Sequence, residues 1–133
     1  MRIILLDLNY TLVSNSTQKT HPFENQILKE EYRRDLIYKL KDDFVVIVTA
    51  RPEHHKRMTL QNLKRKTGWL PMDAFFNKYD VPPPQCKQRI LTEHLVKRFN
   101  IEKMLAIESN PKTSAMYNRN NIKAVTYQEF MEA

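Results

Sequence analysis

The chain has 133 residues, 41% of them hydrophobic and 28% charged, with a formal net charge of +7. That length suits one domain with a core of its own and leaves no room for a second; no apolar run approaches the roughly 20 residues that cross a bilayer. A single cysteine, Cys86, excludes an internal disulfide framework and suits a reducing cytoplasm.

The first residues run straight into a strand pattern, so a signal peptide is not expected. The positive balance favours an anionic partner, with nucleic acid foremost.

In chain order, Ile3 to Leu8 is a short continuous apolar run, the pattern of a strand buried on both faces. Ser14 to His21 is polar and turn-like. From Phe23 to Leu40 the spacing of Ile27, Leu28, Tyr32, Ile37, Tyr38 and Leu40 predicts one amphipathic helix. Phe44 to Val48 reads as a second buried strand. Pro52 to Lys66 follows as a helix, with Pro52 in the first turn, where its missing N–H costs nothing, and Gly68 as the stop. Ala74 to Asn77 is a third strand. The rigid "VPPPQ" leads into a helix from Gln85 to Phe99.

Met104 to Glu108 is a fourth strand and Pro111 to Asn118 a further helix. Ile122 to Thr126 is a fifth strand, and Gln128 to Met131 forms a last helical turn. Strands alternating with helices at this spacing predict a three-layer α/β sandwich around a central parallel five-stranded sheet. Trp69, Leu70, Phe75 and Phe76 are expected in its core.

Ligands of open parallel sheets bind beyond the carboxyl ends of the strands. Those ends carry Asp7 and Asn9, then Thr49 and Arg51, then Glu108 to Asn110, and Lys87 opens the helix after the third strand. A phosphate bound beside a divalent metal suits this set. Asp7 and Glu108 are hard oxygen donors of the kind Mg²⁺ prefers. Thr49 is placed to donate to a phosphoryl oxygen, while Arg51 and Lys87 offer cations to its charge. With Gly68 the only glycine, neither a Walker loop nor a G-x-G-x-x-G turn is available.

Four stretches, in order, resemble the haloacid dehalogenase-like (HAD) superfamily. "DLNYTL" is similar to its first motif, "VIVTAR" to its second, "KQRIL" to its third and "MLAIESNPKTSAMY" to its fourth. The resemblance implies a phosphatase in which Asp7 is the nucleophile of an aspartyl-phosphate intermediate. It also implies that Thr49 and Lys87 grip the phosphoryl group. Mg²⁺ would be held by Asp7, Glu108 and the main-chain carbonyl of Asn9. Two positions depart from the pattern: Asn9 stands where an aspartate normally serves as general acid and base, and Ser109 replaces the second member of an acidic pair. Losing the proton shuttle typically costs ~10²–10⁴ in rate.

The short segments between motifs imply no large cap domain, and an open site suits a bulky nucleic-acid end. The layout resembles the phosphatase domain of phage-type polynucleotide kinases, which acts on 3′-phosphate ends. The stretch after Thr49, most of it the expected helix, carries Arg51, Lys56, Arg57, Lys64, Arg65 and Lys66 against Glu53. It is expected to guide a phosphate backbone if it flanks the site, and otherwise to be a solvated face. A non-catalytic domain that binds phosphate or nucleic acid is the alternative; a phospho-accepting receiver domain fits less well, because Asp7 lacks a neighbouring acid. Adjacent His54 and His55 are expected on different helix faces and, with His21 and His94, as structural or surface residues. Cys86 is expected as a helix-start residue.

Overall fold

The protein is described by a computed structural model covering residues 1–133. The apolar runs pair into one all-parallel sheet. Its strands are β1 (Ile3–Leu6), β2 (Phe44–Pro52), β3 (Asp73–Asn77), β4 (Met104–Ile107) and β5 (Lys123–Val125), in the order β3-β2-β1-β4-β5. The connections carry helices α1 (Phe23–Lys29), α2 (Arg34–Lys39), α3 (Lys56–Thr67), α4 (Pro83–Ile90), α5 (Val96–Arg98) and α6 (Pro111–Arg119), and α7 (Tyr127–Glu132) closes the chain. No separate cap rises over the sheet, and no helix is long and apolar enough to cross a membrane.

β1 lies at the centre, and its uninterrupted apolar run follows from that position. Ile4 and Leu6 enter one core cluster with Val45 and Ile47, while Ile3 and Leu5 enter the other with Val46 and Val48. All four β1 side chains are almost fully buried, so each contributes roughly 1.5–3 kcal/mol by burial. Phe76 and Trp69 join the first cluster and Phe75 flanks the second. Leu70 does not; it is 41% exposed, in the turn that leads into β3.

Register is what aligns the site. Leu6 pairs with Ile47 on one side and Ile107 on the other. One step further along, Asp7 therefore falls beside Glu108, and the Asp7 N–H bonds the Ile107 carbonyl at 3.0 Å. The chain leaves β1 and β4 toward opposite flanks of the sheet, which opens a crevice between them.

Three elements differ from the sequence expectation. The single helix over 23–40 is two helices, because the chain between them turns extended. Glu30 has ψ 137°, Tyr32 bridges Val13, and the Arg33 N–H bonds the Leu12 carbonyl at 2.9 Å. Leu28 and Tyr38, expected on the apolar face, are 49% and 69% exposed as a result. β2 runs on to Pro52, with its pairing to β3 shifting between Val48 and Pro52, so the next helix starts later, through a 3₁₀ turn at Glu53–His55. In that tight turn the rings of His54 and His55 lie 4.0 Å apart instead of diverging. The helix expected from Gln85 to Phe99 begins at Pro83 and passes through a π-helical turn, Leu91–Leu95, into α5.

Candidate active site

Beyond β1 the chain makes a wide turn over Leu8–Leu12, closed by the Val13 N–H on the Leu8 carbonyl at 2.9 Å. Tyr10 adopts a left-handed backbone (φ 60°), and its N–H is held by Ser16 Oγ at 2.8 Å. That turn folds Thr11 back over the strand end, where its hydroxyl donates to Asp7 Oδ2 at 2.9 Å. Ser109 Oγ donates to the same oxygen at 2.8 Å. The other oxygen, Oδ1, accepts from Lys87 Nζ at 2.8 Å, and Lys87 also donates to Glu108 Oε1 at 2.6 Å. Glu108 Oε2 in turn accepts the Ser109 and Asn110 N–H groups, both at 3.1 Å. A pocket of 180 Å³ opens here, bounded by Asp7, Asn9, Thr49, Lys87, Glu108 and Ser109 among others.

The two carboxylates are not equivalent. Burial pushes the Asp7 carboxyl up, but the charge and hydrogen bond of Lys87, with the Ser109 hydroxyl, outweigh it and hold Asp7 below the usual range. At Glu108 burial wins over the same lysine, and its carboxyl is pushed up to about 7. Lys87 would lose basicity on burial, yet Asp7 and Glu108 raise it well above an ordinary lysine. Asp7 is thus held as a carboxylate by its lysine and hydroxyl partners.

Thr49 is buried, and its Oγ1 accepts the Arg51 N–H at 3.1 Å, which leaves the hydroxyl hydrogen free for the pocket. Arg51 itself does not line the pocket. Its guanidinium, buried over the Phe23 ring, is held by Glu30 at 2.5 and 3.0 Å and by Thr59 at 3.0 Å. One further N–H, from Nη2, donates to Asn9 Oδ1 at 2.7 Å. Arginine has donors only, so Asn9 must turn its oxygen to Arg51 and its amide N–H groups elsewhere. Position 9 is therefore fixed from behind by a buried ion pair.

The structure gathers Asp7, Asn9, Thr49, Lys87 and Glu108 at one pocket and sets Arg51 behind it. Four further groups matter. Thr11 was visible in "DLNYTL" as a hydroxyl one helical step beyond Asp7. Ser109 reads in sequence as a missing acid, whereas its hydroxyl binds Asp7. Glu30 and Thr59 carried no signal, because Glu30 lay inside what reads as a continuous helix.

The donor set suits a hard divalent cation. With Glu108 ionised, two carboxylates against one lysine leave a local charge of −1, and Ser109 Oγ contacts both Asp7 Oδ2 and, at 3.3 Å, the Asn9 carbonyl, so those oxygens face a common point. No cluster of three His, Cys, Asp or Glu side chains exists. A cation here would lean on Asp7, Glu108, the Asn9 carbonyl and water, the sparse ligation that Mg²⁺ tolerates.

The basic stretch that follows Thr49 does not flank this pocket along its length. α3 connects two parallel strands and so runs away from their carboxyl ends; its 12 residues carry Lys64, Arg65 and Lys66 to the far end, ~15 Å off. There Lys66 bonds the Glu30 carbonyl and Arg65 bonds Asn62.

No family profile matches the sequence, and no curated protein matches it. Solved structures do. A chain of the Pnkp1/Rnl/Hen1 RNA repair complex superposes with a TM-score of 0.76 at 12% identity, over 94% of this chain and 41% of that one. Phosphoserine phosphatase, as a phospho-aspartyl intermediate analogue, gives 0.58 at 13% identity, over 98% and 97% of the two chains. Its apo form gives the same score and identity, over 98% of each. The fold, an all-parallel five-stranded sheet flanked by helices, is HAD-like and is shared with these chains. The chain spans 41% of the repair-complex chain that it resembles.

Proposed function

We propose that the protein is an Mg²⁺-dependent phosphoester hydrolase in which Asp7 forms an aspartyl-phosphate, acting on a nucleotide or nucleic-acid phosphate. The observation that carries this reading is the ionised Asp7 carboxylate at the crevice, locked by Thr11, Ser109 and Lys87 with Glu108 alongside. A carboxylate held on both oxygens is oriented for attack on phosphorus. Thr49 Oγ and Lys87 Nζ supply a hydrogen bond and a positive charge to the transferring phosphoryl oxygens. A bound Mg²⁺ would neutralise phosphoryl charge and fix its orientation. The likeness to a chain of an RNA repair complex supports a nucleic-acid end as the substrate. The lone buried thiol, Cys86, supports a reducing compartment.

In the first step the Asp7 oxygen bonds to phosphorus as the ester oxygen leaves, and that oxygen needs a proton. In the second, water attacks the acyl phosphate and must lose one. Asn9 does neither, since its amide does not titrate and its oxygen is occupied by Arg51. That occupancy favours a second reading, a phosphate-binding domain without turnover.

The test compares the protein as it stands with Asn9→Asp and Asp7→Asn on a phosphorylated oligonucleotide and a small phosphoester, with Mg²⁺. Asn9→Asp is expected to gain about 10²-fold, the lower end of a proton shuttle's worth, because Arg51 holds the new carboxyl ionised. Asp7→Asn added to it must abolish the gain. Activity that survives without Asp7 defeats the proposal; tight phosphate binding with no turnover in any variant selects the binding domain.

A further inference from the structure

We propose that the groove between α4 and α6 is the track along which a single-stranded nucleic acid lies when its phosphorylated end reaches Asp7. This assignment rests on the phosphoester reading of the pocket and adds the surface that holds the rest of the substrate.

The groove encloses 890 Å³. It is built by two helical faces at regular spacing: Gln85, Gln88 and Arg89 on α4, and Lys112, Ala115 and Arg119 on α6. It contains three cations and no carboxylate. Lys112 and Arg119 are exposed and form no ion pair, so their charges are free to meet a ligand. Arg89 is steadied by Glu93 at 2.9 Å and by the Tyr79 ring at 4.0 Å. Gln88 is set by reciprocal bonds with Asn120, one at 2.7 Å.

The groove meets the catalytic pocket at its mouth. Pro83 and Asn110 line the pocket, and their neighbours Pro82, Pro84 and Lys112 line the groove. Lys112 and Arg119 stand seven residues apart, about 10 Å along the helix, which suits repeated phosphates and not a lone one. Helices in direct contact have axes about 8–10 Å apart, so the furrow between them takes one strand and not a duplex. No aromatic ring lines it, so contact is with the backbone and independent of base sequence.

The experiment measures binding of a labelled, 3′-phosphorylated oligothymidylate of about 12 nucleotides by fluorescence anisotropy across a salt series. Lys112→Glu with Arg119→Glu is compared with Lys41→Glu and Lys64→Glu, which change net charge equally on exposed sites outside the groove. The groove pair is expected to weaken binding at least about tenfold and to lower the salt slope by about 1.4, two phosphates' worth; the control pair should shift affinity by less than about threefold. Turnover or binding of a small phosphoester should be unchanged in both. Equal losses in the two pairs, no loss in the groove pair, no binding by the unaltered protein, or equal competition by polyglutamate would each overturn the track. Failure of small-phosphoester turnover in every variant, Asn9→Asp included, would instead count against the catalytic reading and leave this measurement standing.

Discussion

Asn9 sits between two demands, the proton shuttle that the proposed hydrolysis calls for and an arginine that needs an acceptor. One Arg51 N–H donates there to an amide oxygen, and Glu30 supplies the compensating charge out of water, while the buried Nε–H is left without a partner. Removing Glu30 leaves a buried, unpaired guanidinium. Glu30→Ala is therefore expected to cost about 3–5 kcal/mol, read from the midpoint of urea unfolding at unchanged slope. A loss under about 1 kcal/mol would mean that Arg51 finds water instead. Cys86 gives a second residue-scale expectation. Its thiol is buried beside the Thr49 carbonyl, and burial pushes it up to about 11 from an ordinary 9.0. The folded thiol stays neutral where the unfolded one ionises, so this group's stabilising contribution is whole below pH 9 and is lost progressively between pH 9 and 11. At pH 8, alkylation should be slow in the native protein and rise sharply through the urea transition; fast native alkylation would contradict the burial.

At the scale of elements, the parts set by local patterning were legible and the parts set by remote partners were not. All five strands could be read, because each holds apolar or β-branched residues in a short stretch near turn residues, although β2 runs on to Pro52 and β5 is only three residues long. The stop of α3 was legible for a similar reason. Gly68 has φ 74°, a left-handed backbone that only glycine adopts freely, and its N–H closes on the Lys64 carbonyl at 2.8 Å. A Cβ there would meet nothing within 4 Å, so Gly68→Ala tests the backbone alone. It should lower stability by about 1 kcal/mol, seen as a reduced thermal midpoint with an unchanged fold. No shift would mean that the turn relaxes. The break between α1 and α2 was not legible. Its apolar spacing is good enough for one helix, and what interrupts it is tertiary: the Val13–Tyr32 bridge and the pull of Arg51 on Glu30. The site was readable in the same measure. Asp7, Thr49 and Glu108 follow or end apolar runs in the sequence and Lys87 falls early in the helix expected from Gln85, although β2 runs on past Thr49 and α4 begins at Pro83. The groups behind Asn9 depended on that unreadable break.

For the whole molecule, charge of opposite sign is organised at two distances. The net charge is +7, and a field of that sign is expected to attract polyanions from afar with a steep dependence on salt. The pocket is locally acidic once Glu108 ionises, since Lys87 then offsets only one of its two carboxylates. A divalent cation at the proposed site would gain nothing from the outer field and would depend on the inner pair. Binding only to the folded state then adds stability by mass action, about 2.7 kcal/mol when free cation is 100-fold above its dissociation constant. Mg²⁺ is therefore expected to raise the thermal midpoint, and EDTA to reverse the rise. The quantity to compare between variants is the Mg²⁺-dependent increment, because Asp7→Asn removes one of two facing carboxylates and shifts the baseline on its own. Asp7→Asn and Glu108→Gln should each erase most of the increment, while Asn9→Asp, which keeps the main-chain carbonyl, should retain it. Should all the variants show the same increment, the cation binds elsewhere, and neither Asp7 nor Glu108 holds it.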